Sequence, residues 1–264
     1  MKIIDIGINL MHRSFNEDRE QVMNEAMEAG VSPLIITGTS ERASIQAAKY
    51  ASRYPGKLYS TAGVHPHDVK SWTPETLKTL EQLAKKECVV AIGECGLDYN
   101  RDFSPRDMQR KYFEAQIELA CKTGLPLFLH ERDAFEDFYT ILEKYKEDIK
   151  GMVVHCFTGK KHELQKYIEL GCYIGITGWI CDERRGRHLI DLVKMIPADK
   201  LMIETDAPFL LPRNLEDKPH DGRNEPRFLV HILDELAYHL NENMNDLAHQ
   251  TYKNTKRFFQ LIDN

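Results

Sequence analysis

The chain has 264 residues, is 42% hydrophobic and carries a formal net charge of −6, which excludes a protein that grips long duplex nucleic acid through a strongly basic surface. The opening Met1-Lys2-Ile3-Ile4 meets Asp5 too soon for a signal peptide, and no apolar stretch approaches the roughly 20 residues that span a bilayer. A cytoplasmic protein with no membrane partner is therefore expected, and its six cysteines (Cys88, Cys95, Cys121, Cys156, Cys172, Cys181), which form no C-x-x-C pair, are expected as reduced core thiols.

Apolar runs alternate with amphipathic ones along the whole chain. Residues 3–8 read as a strand and 17–30 as a helix, in which Val22, Ala26 and Ala29 share a face and Gly30 supplies the stop. A strand at 33–37 precedes a helix over 40–53. A third strand, at 58–64, leads to Thr73-Pro74, an N-cap followed by proline at the first helical position. The fourth, at 89–93, leads to the same signal at Ser104-Pro105, after which Phe113, Ile117 and Ala120 mark one helical face. Strands at 125–129, 152–154, 173–176 and 201–205 are followed by helices over 133–148, 160–170, 183–195 and 225–241, and a last helix covers 244–262. Runs this continuously apolar suit parallel strands buried on both faces. Eight strand–helix units predict an α/β fold, a single-domain (β/α)₈ TIM barrel over residues 1–264. The rival, a doubly wound open sheet, calls for a Gly-rich loop after its first strand, and Gly7-Ile8-Asn9-Leu10-Met11 is not one.

The polar residues fall where these strands end: His65 and His67 after the third, Glu94 after the fourth, then His130, His155 and Asp206 after the fifth, sixth and eighth. In a TIM barrel those ends converge on the face that carries active sites. Two imidazoles and two carboxylates there can hold one divalent ion or a bridged pair. Singly, each has a plainer reading, the histidines as hydrogen-bonded rim residues and the carboxylates as ion-pair partners or helix caps. Together they predict a metal site of Glu94, His130, His155 and Asp206. Gly-x-Ser-x-Gly is absent, so no covalent serine nucleophile is expected.

The blocks carrying these residues resemble the TatD family of metal-dependent deoxyribonucleases, within the amidohydrolase-like TIM barrels. They are Asp5-Ile6-Gly7-Ile8-Asn9-Leu10, Ala62-Gly63-Val64-His65-Pro66-His67, Gly93-Glu94-Cys95-Gly96-Leu97-Asp98, His130-Glu131-Arg132-Asp133, His155-Cys156-Phe157-Thr158-Gly159 and Ile203-Glu204-Thr205-Asp206-Ala207-Pro208. The resemblance covers the whole chain. It implies metal-dependent hydrolysis of phosphodiester bonds by metal-activated water, as a 3′→5′ exonuclease on single-stranded DNA with RNA kept open as a further substrate. It implies Glu94 as a bridging carboxylate, His130 and His155 as ligands of one ion, and Asp206 as a ligand of the other that also orients or deprotonates the attacking water. Mg²⁺ is the implied working metal, although two imidazoles are more typical of Mn²⁺ or Zn²⁺. Many family members begin with His-x-His where this chain has Gly7 and Asn9, so one tight and one weaker ion position are expected. His65, His67 and Arg132 are candidates for the substrate phosphate, with His65 also a candidate catalytic group. Lys160, Lys161, Arg184, Arg185 and Arg187 either guide a nucleic-acid backbone or form a solvated face, and Trp179 either stacks on a base or is buried at the rim. A monomer is expected. The alternatives are a metal-dependent aminoacyl-tRNA ester hydrolase and a non-catalytic metal-binding scaffold.

Overall fold

Strand and helix alternate along residues 1–262, which the computed structural model describes. β1 (Ile3–Ile8) precedes α1 (Arg19–Glu28), β2 (Val31–Ile36) precedes α2 (Glu41–Ala51), β3 (Leu58–Ala62) precedes α3 (Thr76–Ala84), and β4 (Val89–Asp98) precedes α4 (Arg106–Thr123). β5 (Leu127–Arg132), β6 (Met152–Val154), β7 (Tyr173–Ile176) and β8 (Leu201–Ile203) are followed by α5 (Phe135–Tyr145), α6 (Lys161–Glu169), α7 (Leu189–Leu192) and α8 (Leu229–Leu240). α9 (Met244–Phe259) comes last. The eight strands pair in parallel and in sequence order, as a TIM barrel requires.

The ring closes just beyond β8. Asp206 N–H donates to the Gly7 carbonyl at 2.9 Å and Asn9 N–H to that of Ala207 at 2.7 Å. Below them the buried Asp5 carboxylate accepts the Thr205 N–H at 3.0 Å and the Thr205 hydroxyl at 2.5 Å. Burial pushes the Asp5 carboxyl up to about 7, even against these hydrogen bonds.

Alternation within the strands separates two cores. Ile4, Ile6, Ile35, Tyr59, Ala91, Phe128, Val153 and Met202 fill the barrel, and Phe258, Phe259 and Leu261 from the end of the chain pack against them. Residues of opposite parity, such as Ile3, Leu34, Ile92, Leu127 and Ile174, face the helices, where α4 contributes Phe113, Ile117 and Ala120. All six cysteines are free thiols, buried or half-buried.

Several expected boundaries shift, among them that of β5, which runs on through His130 to Arg132 instead of ending at Leu129. The helix expected over 183–195 contracts to α7 and the turn Val193–Met195, because the Asp182 carboxylate accepts the N–H groups of Arg184 (2.9 Å) and Arg185 (3.3 Å). That local hydrogen bonding competes with a helix. α3 starts at Thr76 rather than beside Pro74, and its Thr76 hydroxyl accepts the Thr73 N–H at 3.0 Å. Ser104 does not cap α4: its hydroxyl donates to the His67 carbonyl at 2.8 Å, and the helix opens after Pro105. β4 runs on through Glu94 to Asp98 instead of ending at Gly93.

Candidate metal centre

The extension of β4 aims the central carboxylate. Gly93 (φ 139°) and Gly96 (φ 147°) adopt backbone that disfavours side chains, and a Cβ on either would strike a β5 carbonyl, of Phe128 or His130. Between Gly93 and Cys95 the β4–β5 register shifts, a bulge that re-aims the residue it contains. That residue is Glu94, whose own N–H donates to the Gly38 carbonyl at 2.8 Å. Its carboxylate is buried beneath an open cavity of about 450 Å³ at the C-terminal mouth of the barrel.

Three imidazoles converge on one oxygen of it. His155 Nε2, His130 Nδ1 and His65 Nε2 lie 2.7, 3.0 and 3.3 Å from Glu94 Oε1. Among the described residues, the ligand atoms of His65, Glu94 and His130 all lie within 4.8 Å of one another. Ligands about 2.0–2.2 Å from a shared ion stand at such separations from each other, so this donor set fits a divalent cation. Asp206 and Asn9 line the same cavity, and the Asn9 amide donates to Asp206 Oδ1 at 2.9 Å.

Two further carboxylates hold the imidazoles from behind. Asp98 Oδ2 is 3.2 Å from His130 Nε2 and 2.7 Å from His67 Nε2. Glu204 is 3.3 Å from His155 Nδ1 and accepts the Cys156 N–H at 2.6 Å. Glu204 also accounts for the missing histidine of β1, because a Cβ at Gly7 would run into its Oε2 and one at Gly175 into its Oε1. The carboxylate thus fills the space that a side chain at position 7 would need. The roles of Asp98 and Glu204 were not read from the sequence. For Asp98 the usable signal is strand periodicity, since it shares a face of β4 with Glu94 at even spacing; Glu204 lies beyond the end of β8, where that periodicity does not reach.

Burial alone would raise the Glu94 carboxyl, but the charges of His155 and His65 and the hydrogen bonds from His130 and His155 outweigh it and hold it well below the usual range. His130 and His155 go the other way. Burial would lower them, yet Asp98 and Glu94 raise the first, and Glu94 and Glu204 raise the second well above 6.5. Burial brings His65 down to about 4 and pushes Asp206 up to about 7. Protons on His130 and His155 therefore sit where a cation's charge would otherwise balance the carboxylates. A metal ion has to displace them. Its apparent affinity is expected to rise as pH climbs through and above 6.5, with proton release. Calorimetric Mn²⁺ titrations in buffers of different ionisation enthalpy would read this, and a pH-independent affinity would disprove it.

A parallel eight-stranded barrel whose strand ends gather imidazoles around a buried carboxylate is the architecture of the TIM-barrel metal-dependent hydrolases. The chain belongs, within that class, to the family described as TatD related DNase, whose model matches residues 4–260. It is 51% identical over 259 residues to a protein of Rahnella sp. named 3′-5′ ssDNA/RNA exonuclease TatD, covering 98% of each chain. A protein of the same name from Escherichia fergusonii is 50% identical, with 98% of this chain and 99% of that one covered. Among solved structures, the TatD homologue YjjV of Escherichia coli K12 superposes with a TM-score of 0.90 at 27% identity over 98% of each chain.

Proposed function

We propose that this protein is a metal-dependent 3′→5′ exonuclease acting on single-stranded DNA and RNA. The convergence of three imidazoles on Glu94 Oε1 in an open cavity at the barrel mouth carries this reading, with the named activity of the half-identical relatives beside it. In it, Glu94, His130 and His155 hold the first ion, with His65 close enough to join them, and Asp206 with Asn9 offers a weaker second position. Mg²⁺ is the proposed working ion, although so many imidazoles also favour Mn²⁺ and Zn²⁺. When bound, a divalent ion neutralises phosphate oxygens and lowers the pKa of water.

The chain's own groups do the rest. Asn9 fixes one oxygen of Asp206, and a half-buried carboxyl poised near neutrality is suited to orient an attacking water and take its proton. His65, kept neutral by burial, accepts the His67 N–H at Nδ1, so its one N–H is on Nε2; that N–H can serve a phosphate oxygen only when Nε2 is not a ligand of the ion. His67, anchored by Asp98, and the exposed Arg132 line the same cavity, which supports assigning them to the phosphate in this reading.

With a 5′-labelled single strand and Mg²⁺, a ladder that shortens from the 3′ end is expected, with EDTA abolishing it. Shortening from the 5′ end would refute the assigned polarity. Deacylation of charged tRNA without any release of nucleotides would replace the nuclease reading with the ester-hydrolase one.

A further inference from the structure

A second cavity, of about 490 Å³, opens beside the metal pocket and shares Glu131, Arg132, Thr158 and Trp179 with it. Its remaining walls include Asp133, Lys160, Glu163, Arg185 and His188. The charges on these walls are not symmetrically engaged. Each acid is already used by a donor of the fold: Glu131 takes the Ala134 N–H (2.8 Å) and the Tyr167 hydroxyl (3.0 Å), Glu163 takes the Lys160 N–H (2.6 Å), and Asp133 takes the Asn100 amide (2.6 Å). Arg132, Lys160 and Arg185, all exposed, have no carboxylate partner among the described residues. The neighbouring Arg184 differs, being paired with Asp182 at 3.1 Å.

The fold holds these cations around the cavity by identifiable contacts. The Gly186 N–H donates to the Asp182 carbonyl at 2.7 Å, and a Cβ at Gly186 would collide with the Trp179 carbonyl, so the loop after β7 lies tight against the Trp179 turn. That sets the Arg185 guanidinium 6.0 Å from the centre of the Trp179 ring. His188 Nε2 lies 3.1 Å from the Thr158 carbonyl and ties the same loop to the one after β6, which carries Lys160.

Resting on the exonuclease reading above, we propose that this second cavity is a subsite for the next nucleotide of the bound single strand. Lys160 and Arg185 take the phosphodiester one step away from the scissile bond, Arg132 stands between the two phosphates because it lines both cavities, and the backbone passes over Trp179, which also lines both. The base of the nucleotide that carries that phosphate stacks on the indole, a contact tolerant of any sequence. Recognition here is of backbone charge and an aromatic face, with no base edge read.

Binding can be separated from hydrolysis by measuring anisotropy of labelled oligothymidylates of increasing length in EDTA, over a series of salt concentrations. Lengthening the strand past the scissile phosphate is expected to tighten binding to the wild type. The Lys160→Ala/Arg185→Ala variant is expected to lose that gain, on the order of tenfold, with the salt slope falling by about 0.7 per lost contact. Lys57→Ala, which removes an exposed charge just before β3, at the end of the barrel away from both cavities, serves as the control and should bind as the wild type does. Equal losses in the control and the double variant, or no loss in either, would overturn the subsite. Failure of the wild type to hydrolyse single strands with Mg²⁺ would instead strike the exonuclease reading, and the EDTA titration would still decide the subsite.

Discussion

Glu94→Gln is expected to lower the nuclease rate by about a thousandfold or more, roughly 4 kcal/mol of barrier, while the barrel stays folded. The reason is geometric. One oxygen, Glu94 Oε1, is the common neighbour of His65, His130 and His155 at 3.3, 3.0 and 2.7 Å. An amide there keeps the volume but gives up the negative charge around which the three rings are arranged. Divalent-ion affinity should fall together with the rate, and the melting temperature in EDTA should also fall, because the amide leaves the protonated His130 and His155 without the carboxylate that balances them. The decisive measurement is the rate at saturating Mn²⁺. Activity within tenfold of the wild type would mean that Glu94 is not the centre of the site.

The second large effect concerns the pair Gly7 and Glu204. Gly7→Ala puts a methyl group against Glu204 Oε2 and 3.1 Å from Phe128 Cζ inside a packed barrel. Overpacking of this kind costs about 1–3 kcal/mol, a drop of several degrees in melting temperature for a chain of this size. Glu204→Ala should keep the barrel but free the His155 ring and leave the Cys156 N–H without its acceptor. Losing such an outer hydrogen bond typically lowers metal affinity about 10- to 100-fold. The two changes share one volume, so the double variant is expected to be more stable than the sum of the singles predicts. Thermal melts of all four proteins test this. Strict additivity would show that Glu204 does not occupy the space denied to position 7.

The barrel was legible because the parallel strands are apolar on both faces. Runs such as Val89-Val90-Ala91-Ile92 or Met152-Val153-Val154 admit no half-exposed reading. Less legible was where strands stop. Gly93-Glu94-Cys95-Gly96 looks like a strand end, yet its glycines let β4 continue close against β5. The region 183–195 has helical composition, but Asp182 and Gly186 divert it into a loop. At the site, the ionisable strand ends were visible and their partners were not. Sequence alone does not reveal that Asp98 spans His67 and His130, or that Glu204 lies under His155, because those contacts cross between strands. The position of His65 after the third strand suggests a phosphate contact, whereas its Nε2 stands 3.3 Å from Glu94 Oε1.

The seam between β8 and β1 has a consequence for the chain as it is being made. Asn9 and Asp206 meet across that seam although they are 197 positions apart. Synthesis from the N-terminus delivers Glu94, His130 and His155 long before Asp206, and until β8 arrives the edge of β1 has nothing to close against. A half-made chain therefore cannot assemble the full set of groups that the proposed chemistry needs.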